Sequence, residues 1–179
     1  MTRVVMVRHA EPLVDAGIPA AEWPLTDQGR ENAGALGRRL ADGSAPTTVW
    51  TSPERKARDT AAQALPSTSV RVRPELGEVT KPWYPTSGEV ADAVASYLRG
   101  DVEGWEPRTD VIARLLRLTP VEADLRASER AVVVSHGVLI TTWLDHAFGL
   151  EDPYSFWSNL RTPDAWELDL GERSLQRIA

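Results

Sequence analysis

Apolar residues occur along this chain in short continuous runs, and most runs are followed by a longer stretch with helical spacing. Runs of about four to eight apolar or β-branched residues are typical of strands that are buried on both faces of a parallel sheet. The strand candidates are 2–9, 47–51, 69–73 and 131–135, and two terminal runs, 165–170 and 174–178, predict a hairpin around Gly171.

The stretches between these runs predict five helices. Helix starts are marked by capping residues and prolines: Thr26, an N-cap Ser52 followed by Pro53, a cap Ser87, Pro107 and Val138. The buried face of the first helix is expected to carry Ala33, Leu36, Gly37 and Leu40. In the fourth helix the inward positions are expected to be Val111, Ile112, Leu115 and Leu116, with a break at Pro120.

Strands that alternate with helices indicate an α/β domain, which we expect to span residues 1–179 as a single unit. Helical crossovers between parallel strands place helices on both faces of the sheet. We therefore expect a three-layer α/β/α fold with a mainly parallel central sheet and an antiparallel strand at one edge.

Composition and charge exclude several classes of protein. The chain is 42% hydrophobic and 26% charged, as is usual for a globular protein, and no apolar stretch approaches the roughly 20 residues of a membrane span. The first ten residues show no signal-peptide pattern. A net charge of −6 disfavours nucleic-acid binding, and the absence of cysteine excludes disulfides and thiol chemistry. We expect a cytoplasmic protein with neither a membrane nor a nucleic-acid partner.

Two histidines come directly after predicted strands. His9 ends the first run, and His136 follows the run 131–135. Ligands of open α/β sheets bind at the carboxyl ends of the strands, so both imidazoles are expected at one crevice. A single histidine at such a place is more often a residue that bonds to backbone, but two at equivalent places favour a functional site.

A cluster of basic residues occupies the first turns of the second predicted helix. Cations at a helix N-terminus oppose the helix dipole and cost a few tenths of a kcal/mol each, and Glu54 and Asp59 offset part of that cost. The cluster consists of Arg55, Lys56 and Arg58, and Lys56 is one of only two lysines in the chain. A solvated charged face remains one interpretation, and an anion bound at this helix end is the other.

Five motifs in order resemble the histidine phosphatase superfamily, small phosphatase branch, which has the phosphoglycerate mutase-like fold. The motifs are VVMVRHAEP, LTDQGRENA, TSPERKARDTA, LGEV and VVVSHGVLI, and they span residues 3 to about 142. The resemblance implies that His9 is the nucleophile and Glu78 the proton donor. It further implies a phosphate site without metal or cofactor, formed by Arg8, His9, Lys56 and His136 and lined by Ala10 and Gly137. His136 would donate to the phosphoryl group as an imidazolium.

Three positions depart from the family pattern. Ala10 replaces the usual glycine, and its methyl restricts the approach of backbone to phosphate. Asp15 replaces an expected asparagine, so Asp15 or Glu11 is a competing acid. The basic residue of the second helix aligns with Lys56 rather than Arg55, and lysine supplies the charge without the planar fork of arginine. Arg55 remains the alternative phosphate ligand.

The resemblance implies a metal-independent phosphatase that forms a phosphohistidine intermediate. Fixed positive charge is what a phosphoryl group in transfer requires. The alternatives are a phosphoglycerate mutase, a metal hydrolase that uses His9, Glu11, Asp15 and His136, and a non-catalytic phosphate-binding regulatory protein. The segment 76–85 lacks the mutase pattern, and adjoining cations favour an anion pocket over a metal.

The expected substrate is a small phosphorylated metabolite or a phosphoprotein. The loops that would select it are 12–24, 79–106 and 150–163, where Trp83 beside Lys81 is a candidate wall of the substrate pocket. Neither the substrate nor the oligomeric state follows from the sequence.

Overall fold

A six-stranded sheet forms the centre of the described part of the chain. The computed structural model describes residues 3–41, 48–117, 130–169 and 171–179. Across the sheet the order is β3-β2-β4-β1-β5-β6, with the bounds β1 (Arg3–Arg8), β2 (Thr48–Thr51), β3 (Val70–Val72), β4 (Arg130–Ser135), β5 (Asp164–Asp169) and β6 (Ser174–Arg177). The first four strands are parallel, whereas β5 pairs antiparallel with β1 and β6 with β5. The mainly parallel sheet is confirmed. The antiparallel strand is β5, which lies between β1 and the edge strand β6, and β6 again runs parallel to β1.

Helices cover both faces of this sheet. Their bounds are α1 (Asp27–Ala41), α2 (Arg55–Ala64), α3 (Ser87–Arg99), α4 (Arg108–Leu116), α5 (Gly137–Phe148) and α6 (Pro153–Ser158), with short 3₁₀ turns at Ala20–Glu22 and Pro74–Leu76. None of the helices in the described ranges combines the length and apolarity that a membrane span requires.

Side chains of each strand alternate between two separate cores. Val4 and Met6 of β1 point toward α3, α4 and α5, whereas Val5 and Val7 point toward α1 and α2. Each core consists of apolar side chains that are almost wholly removed from water, which is the main stabilising contribution to such a fold. The expected three-layer arrangement is therefore confirmed.

The contact between α1 and α2 depends on a glycine. The predicted buried face of α1 is confirmed, and Gly37 lies on it. A Cβ at position 37 would lie 2.1 Å from the carbonyl oxygen of Ala64, so any side chain there would force the two helices apart.

Helix starts differ from the predictions at three places, and the smallest difference is that α5 begins at Gly137 and not at Val138. α2 begins at Arg55 with Glu54 as its N-cap, and not at Pro53 after an N-cap Ser52. The Ser52 hydroxyl does accept from the N–H of Glu54 at 3.1 Å, but the backbone of Glu54 is extended, so the first helical residue is Arg55. α3 is capped by Thr86 and not by Ser87, because Thr86 and Glu89 form a reciprocal capping box.

The remaining predictions concern the inward face of the fourth helix and the ends of helices and strands. Val111 and Leu115 are buried and Ile112 is half-buried, but Leu116 is 54% exposed and does not face inward. The expected break at Pro120 lies outside the described residues, as do Thr2, Thr47 and Leu170 at the ends of predicted strands. His146 lies in the last turn of α5.

The parallel register brings the carboxyl ends of β1, β2 and β4 to one edge of the sheet. Arg8 pairs with Ser135, and Thr51 pairs with Val134. The next residue of each strand therefore reaches the same edge, which is where ligands bind in folds of this type.

Candidate active site

Two buried histidines meet at this carboxyl edge. His9 is 7% exposed and His136 is fully buried, and their ring centroids lie 5.2 Å apart in an edge-on arrangement. The backbone N–H of His9 donates to the carbonyl of Ser135 at 2.9 Å, which ties the residue after β1 to the end of β4. The structure thus brings together the two imidazoles that the sequence predicts at one crevice.

The hydrogen bonding of His9 defines which ring nitrogen is available. Nδ1 lies 2.7 Å from the carbonyl oxygen of Ala10, and because a carbonyl only accepts, Nδ1 carries the hydrogen. Nε2 therefore holds the lone pair of the neutral ring. Burial lowers the pKa of His9 well below its usual 6.5, and the neighbouring His136, Lys56 and Arg8 lower it further. At neutral pH the ring is therefore uncharged.

Burial also lowers the pKa of His136, so its ring is neutral at neutral pH when no anion is bound. Burial lowers the pKa of His136 to about 3, and this outweighs the effect of the Glu78 carboxylate, which raises it. Its Nε2 lies 2.7 Å from the Ser52 hydroxyl and 3.4 Å from a carboxylate oxygen of Glu54. Its Nδ1 is buried and has no hydrogen-bond partner among the described residues.

The guanidinium of Arg8 lies against the N-terminus of α5. Its Nη1 donates to the carbonyl of Leu160 at 2.8 Å, while its buried Nε has no hydrogen-bond partner in the described part of the chain. A Cβ at Gly137 would lie 3.2 Å from this Nε and 3.2 Å from the indole nitrogen of Trp157. Glycine at position 137 therefore allows the guanidinium to pack directly against the start of the helix, where N–H groups favour an anion.

The structure separates the two candidate cations of α2. Lys56 is buried and lines the cavity, where its Nζ donates to the carbonyl of Ala20 at 2.8 Å and pairs with Glu54. The Arg55 side chain is 48% exposed and its Nε lies 3.6 Å from a carboxylate oxygen of Asp59. Lys56 therefore faces the site and Arg55 faces solvent.

Glu54 is a site residue that sequence reasoning missed. From the sequence, Glu54 is only an acid that offsets neighbouring cations. In the structure its carboxylate enters the site, and its side chain is 14% exposed. One oxygen accepts from the backbone N–H of Glu78 at 2.8 Å, and the other pairs with Lys56. Glu54 thus connects α2 to the loop that carries Glu78.

The Glu78 carboxylate lies at the N-terminus of α5. Its Oε1 accepts from the backbone N–H groups of Val79 at 2.9 Å and Leu139 at 3.0 Å. Burial by itself would raise the pKa of Glu78, but the Lys81 ammonium and these N–H groups lower it below its usual range. In the ligand-free protein Glu78 is therefore ionised at neutral pH.

The backbone of this loop is held by an ion pair from α4. Arg114 is paired with Glu106, its Nε lying 2.7 Å from Oε1, and its Nη2 donates to the carbonyl of Gly77 at 3.0 Å. Arg114 thereby fixes the residue that precedes Glu78.

The other acids and Ala10 lie outside the cavity. Glu11 is exposed and accepts from the Thr26 hydroxyl at 2.8 Å, and Asp15 is exposed and accepts from the N–H of Gly17. Ala10 lies behind His9, where its N–H donates to the Thr60 hydroxyl at 2.9 Å. Within the described ranges no three histidine, aspartate or glutamate side chains cluster as a metal site would require.

One cavity of about 770 Å³ brings together most of the candidate site residues, but the fully buried His136 is not among the residues that line it. The side chains of Arg8, His9, Lys56, Glu54 and Glu78 line it together with Gly137. Trp23 and Trp157 also line it, and so does Trp83, the candidate wall residue from the sequence.

Solved structures with the same architecture include several phosphatases. A mycobacterial glucosyl-3-phosphoglycerate phosphatase is 25% identical, with a TM-score of 0.70 over 98% of this chain and 96% of its own. A putative alpha-ribazole-5′-P phosphatase from Escherichia coli K-12 is 22% identical, with a TM-score of 0.69 over 98% and 94%. A mutant phosphoserine phosphatase from Entamoeba histolytica in complex with phosphoserine is 16% identical, with a TM-score of 0.75 over 100% and 96%. The last two show the shared fold.

Sequence comparison assigns the family. None of the curated proteins matches this sequence. The family model for the histidine phosphatase superfamily, branch 1, matches residues 4–165, which include both histidines, Lys56 and Glu78. The chain therefore belongs to the histidine phosphatase superfamily.

Proposed function

We propose that this protein is a metal-independent phosphatase that transfers the phosphoryl group of a phosphate monoester first to His9 and then to water. The observation that best supports this is the buried, neutral His9, whose Nδ1–H is held by the Ala10 carbonyl and whose Nε2 is free to attack. Arg8 and Lys56 line the same cavity and supply the fixed positive charge that phosphoryl transfer requires.

In the first step the Nε2 lone pair of His9 attacks phosphorus, and the bond from phosphorus to the ester oxygen breaks. The leaving oxygen takes a proton from Glu78, so that a neutral alcohol departs. The phosphorylated ring keeps its Nδ1–H and becomes positively charged, and the Ala10 carbonyl that accepts this hydrogen at 2.7 Å stabilises the charge.

In the second step the Glu78 carboxylate removes a proton from a water molecule, and the water oxygen attacks phosphorus. The bond between phosphorus and nitrogen breaks, which returns a neutral His9 and releases inorganic phosphate. Glu78 acts first as an acid and then as a base in this sequence.

The proton that Glu78 donates must enter with the substrate. The pKa of Glu78 lies below its usual range in the ligand-free protein, so the side chain is ionised before binding. A phosphate monoester has a second pKa of about 6, and its monoanion carries one proton. Negative charge beside Glu78 favours transfer of that proton to the carboxylate.

The size of the cavity favours a small phosphorylated metabolite over a phosphoprotein. Sites for small molecules usually occupy about 300–1,000 Å³, and this cavity has about 770 Å³. The mycobacterial relative, a glucosyl-3-phosphoglycerate phosphatase by name, also acts on a compound of this kind. The metal hydrolase alternative loses support because Glu11 and Asp15 lie outside the cavity.

The test is hydrolysis of p-nitrophenyl phosphate in EDTA by the natural sequence and by His9→Ala. His146→Ala is the matched control, since His146 is an exposed histidine outside the cavity. We expect full activity in EDTA, a loss of more than about a hundredfold in His9→Ala, and no loss in the control. Retention of more than about a tenth of the activity by His9→Ala would exclude the proposed nucleophile. Loss in EDTA that one added metal restores would favour a metal hydrolase.

A further inference from the structure

The cavity extends well beyond the space that a phosphoryl group needs. Beside the catalytic group, most of the remaining lining is apolar or aromatic, and its larger residues outside the helices of the fold are Ile18, Pro19, Trp23, Pro82, Trp83 and Tyr84. This part of the cavity must hold the alcohol portion of a substrate, and we refer to these six residues as the outer wall.

The outer wall contains a tryptophan pair in which Trp83 is exposed and Trp23 is half-buried. Trp83 is 56% exposed, although tryptophan is usually well buried. Its ring lies 5.6 Å from that of Trp23 at an interplanar angle of 81°, so the two indoles pack edge to face. Trp23 is fixed in turn by donating its indole N–H to the carbonyl of Asp15 at 2.8 Å. The pair is thus a supported aromatic surface that is open to the cavity.

Lys81 adds a single positive charge next to this surface. Among the described residues that line the cavity, it is the only ionic side chain outside the catalytic group of Arg8, Glu54, Lys56 and Glu78. Its Nζ lies 3.5 Å from the carbonyl of Val79, at the limit of a hydrogen bond, and 5.7 Å from the ring centroid of Trp105. Within the described residues this ammonium forms no direct ion pair, although its charge lowers the pKa of the Glu78 carboxylate.

We propose that the outer wall and Lys81 form the subsite for the leaving alcohol, and that the substrate is a phosphate monoester whose alcohol carries both a ring and a second anionic group. The ring packs against Trp83, because flat rings bind well to aromatic faces. The anionic group, a carboxylate or a second phosphate, pairs with the Lys81 ammonium. This inference rests on the proposed phosphatase activity.

The test compares four esters that vary the two features independently. 4-Carboxyphenyl phosphate has a ring and a carboxylate, phenyl phosphate a ring only, 3-phosphoglycerate a carboxylate only, and glycerol 3-phosphate neither. Aryl and alkyl esters differ in intrinsic reactivity, so the quantity to follow is the change in each ratio of kcat/KM on mutation. Lys81→Met keeps the length of the side chain and removes its charge, and Trp83→Ala removes the ring.

We expect Lys81→Met to lower the ratio of 4-carboxyphenyl phosphate to phenyl phosphate about tenfold, the effect of one charged contact. We expect Trp83→Ala to lower the ratio of phenyl phosphate to glycerol 3-phosphate by about tenfold, in the range for stacking on one aromatic side chain. The controls are Arg99→Met, which removes an exposed charge, and Leu13→Ala, which removes an exposed apolar side chain. Neither residue lines the cavity, so both controls should leave both ratios unchanged.

The outcomes separate the subsite from the proposed function. Equal losses on all four esters in Lys81→Met would overturn the anion contact, because they would mean that the lysine acts only through Glu78. An unchanged aryl-to-alkyl ratio in Trp83→Ala would overturn the ring contact. Hydrolysis that persists in His9→Ala would instead overturn the proposed mechanism. If either variant fails to fold, Lys81→Gln and Trp83→Leu provide the same comparison.

Discussion

Among the described residues of α2, Lys56 is the only one whose positive side chain lines the cavity, and its replacement by alanine removes that charge. The side chain is 7% exposed, and its ammonium pairs with Glu54 and donates to the Ala20 carbonyl at 2.8 Å. Removal leaves Arg8 as the one cation to balance Glu54 and Glu78 in the catalytic group, so its formal charge falls from zero to −1 in the ligand-free protein.

The expected loss follows from these contacts. Removing one charge-stabilising donor costs about 10²–10³ in rate, or roughly 2.7–4 kcal/mol. The unpaired Glu54 carboxylate adds repulsion toward the phosphoryl group, which places the loss near the upper end of that range. Breaking a buried ion pair costs about 3–5 kcal/mol of folding free energy. Glu54 keeps its bond from the N–H of Glu78 at 2.8 Å, so we expect about 3 kcal/mol.

Arg55 provides the matched control on the same helix. Its side chain is 48% exposed and its partner Asp59 is 40% exposed. Exposed ion pairs contribute about 0–1 kcal/mol to the free energy of unfolding. Because the Arg55 side chain faces solvent and does not line the cavity, Arg55→Ala should lower the rate by less than about tenfold. Lys56→Arg keeps the charge and should retain much of the activity.

The assay is kcat/KM for p-nitrophenyl phosphate together with urea unfolding of each variant. In the double variant Glu54→Gln/Lys56→Ala the charge balance returns, so part of the lost activity should return with it. A severe loss in Arg55→Ala with a mild loss in Lys56→Ala would refute this reasoning, since it would require α2 to be rotated by about 100°.

The remaining predictions concern pH and the proton donor. Folding lowers the pKa values of His9 and His136, to about 3 for His136, so the unfolded chain binds more protons than the folded protein below pH 6.5. The free energy of unfolding should therefore fall as the pH drops from 6.5 toward 3. Urea titrations that show no change over that range would contradict this. Because His9 is neutral, kcat/KM should show no decline near pH 6.5 on the acid side. Above the second pKa of the ester, about 6, kcat/KM should fall about tenfold per pH unit. A bell-shaped profile with an acid limb at pH 6.5 would contradict a lowered pKa of His9. Glu78→Gln should reduce hydrolysis of glycerol 3-phosphate far more than that of p-nitrophenyl phosphate, whose leaving group needs little protonation, and equal losses would remove the proton-donor role. Arg114→Met should lower the rate ratio of glycerol 3-phosphate to p-nitrophenyl phosphate by about tenfold, because Arg114 fixes the Gly77 carbonyl at 3.0 Å and thereby positions Glu78. A lower melting temperature with an unchanged ratio would mean that the role of Arg114 is only structural.

The sequence predicted those features that depend on local patterns and on strand direction. The buried face of α1, with Leu36 and Leu40, follows from helical periodicity alone. His9 and His136 could be placed at one crevice because each follows a parallel strand, and parallel strands have their carboxyl ends at a common edge. Neither inference needs the position of any other side chain.

Features that depend on tertiary packing were missed. Leu116 continues an apolar pattern but is 54% exposed, because α4 packs mainly through Val111 and Leu115. The approach of Arg114 to Gly77 joins two segments 37 residues apart, and no short-range spacing indicates it. Helix α6 lies in a stretch that the sequence presented as a loop, so the placement of Trp157 on the cavity wall could not be derived.

Glu54 shows the limit of motif reading most directly. A carboxylate beside two cations is satisfied equally well on a solvated face or inside a pocket. The chain bends directly after Ser52, whose hydroxyl accepts a hydrogen bond from the Glu54 N–H, and this bend directs the Glu54 side chain into the site.

The central claim is that the phosphoryl group passes through His9, and rapid quenching tests it most directly. The enzyme is mixed with ³²P-labelled p-nitrophenyl phosphate, stopped in base within one turnover, and digested for peptide mapping. We expect a base-stable, acid-labile phosphate on the peptide that contains His9, formed as fast as nitrophenolate is released and lost at the rate of turnover. Release of inorganic phosphate with no labelled protein at any time within the first turnover, or label on another residue, would contradict the account.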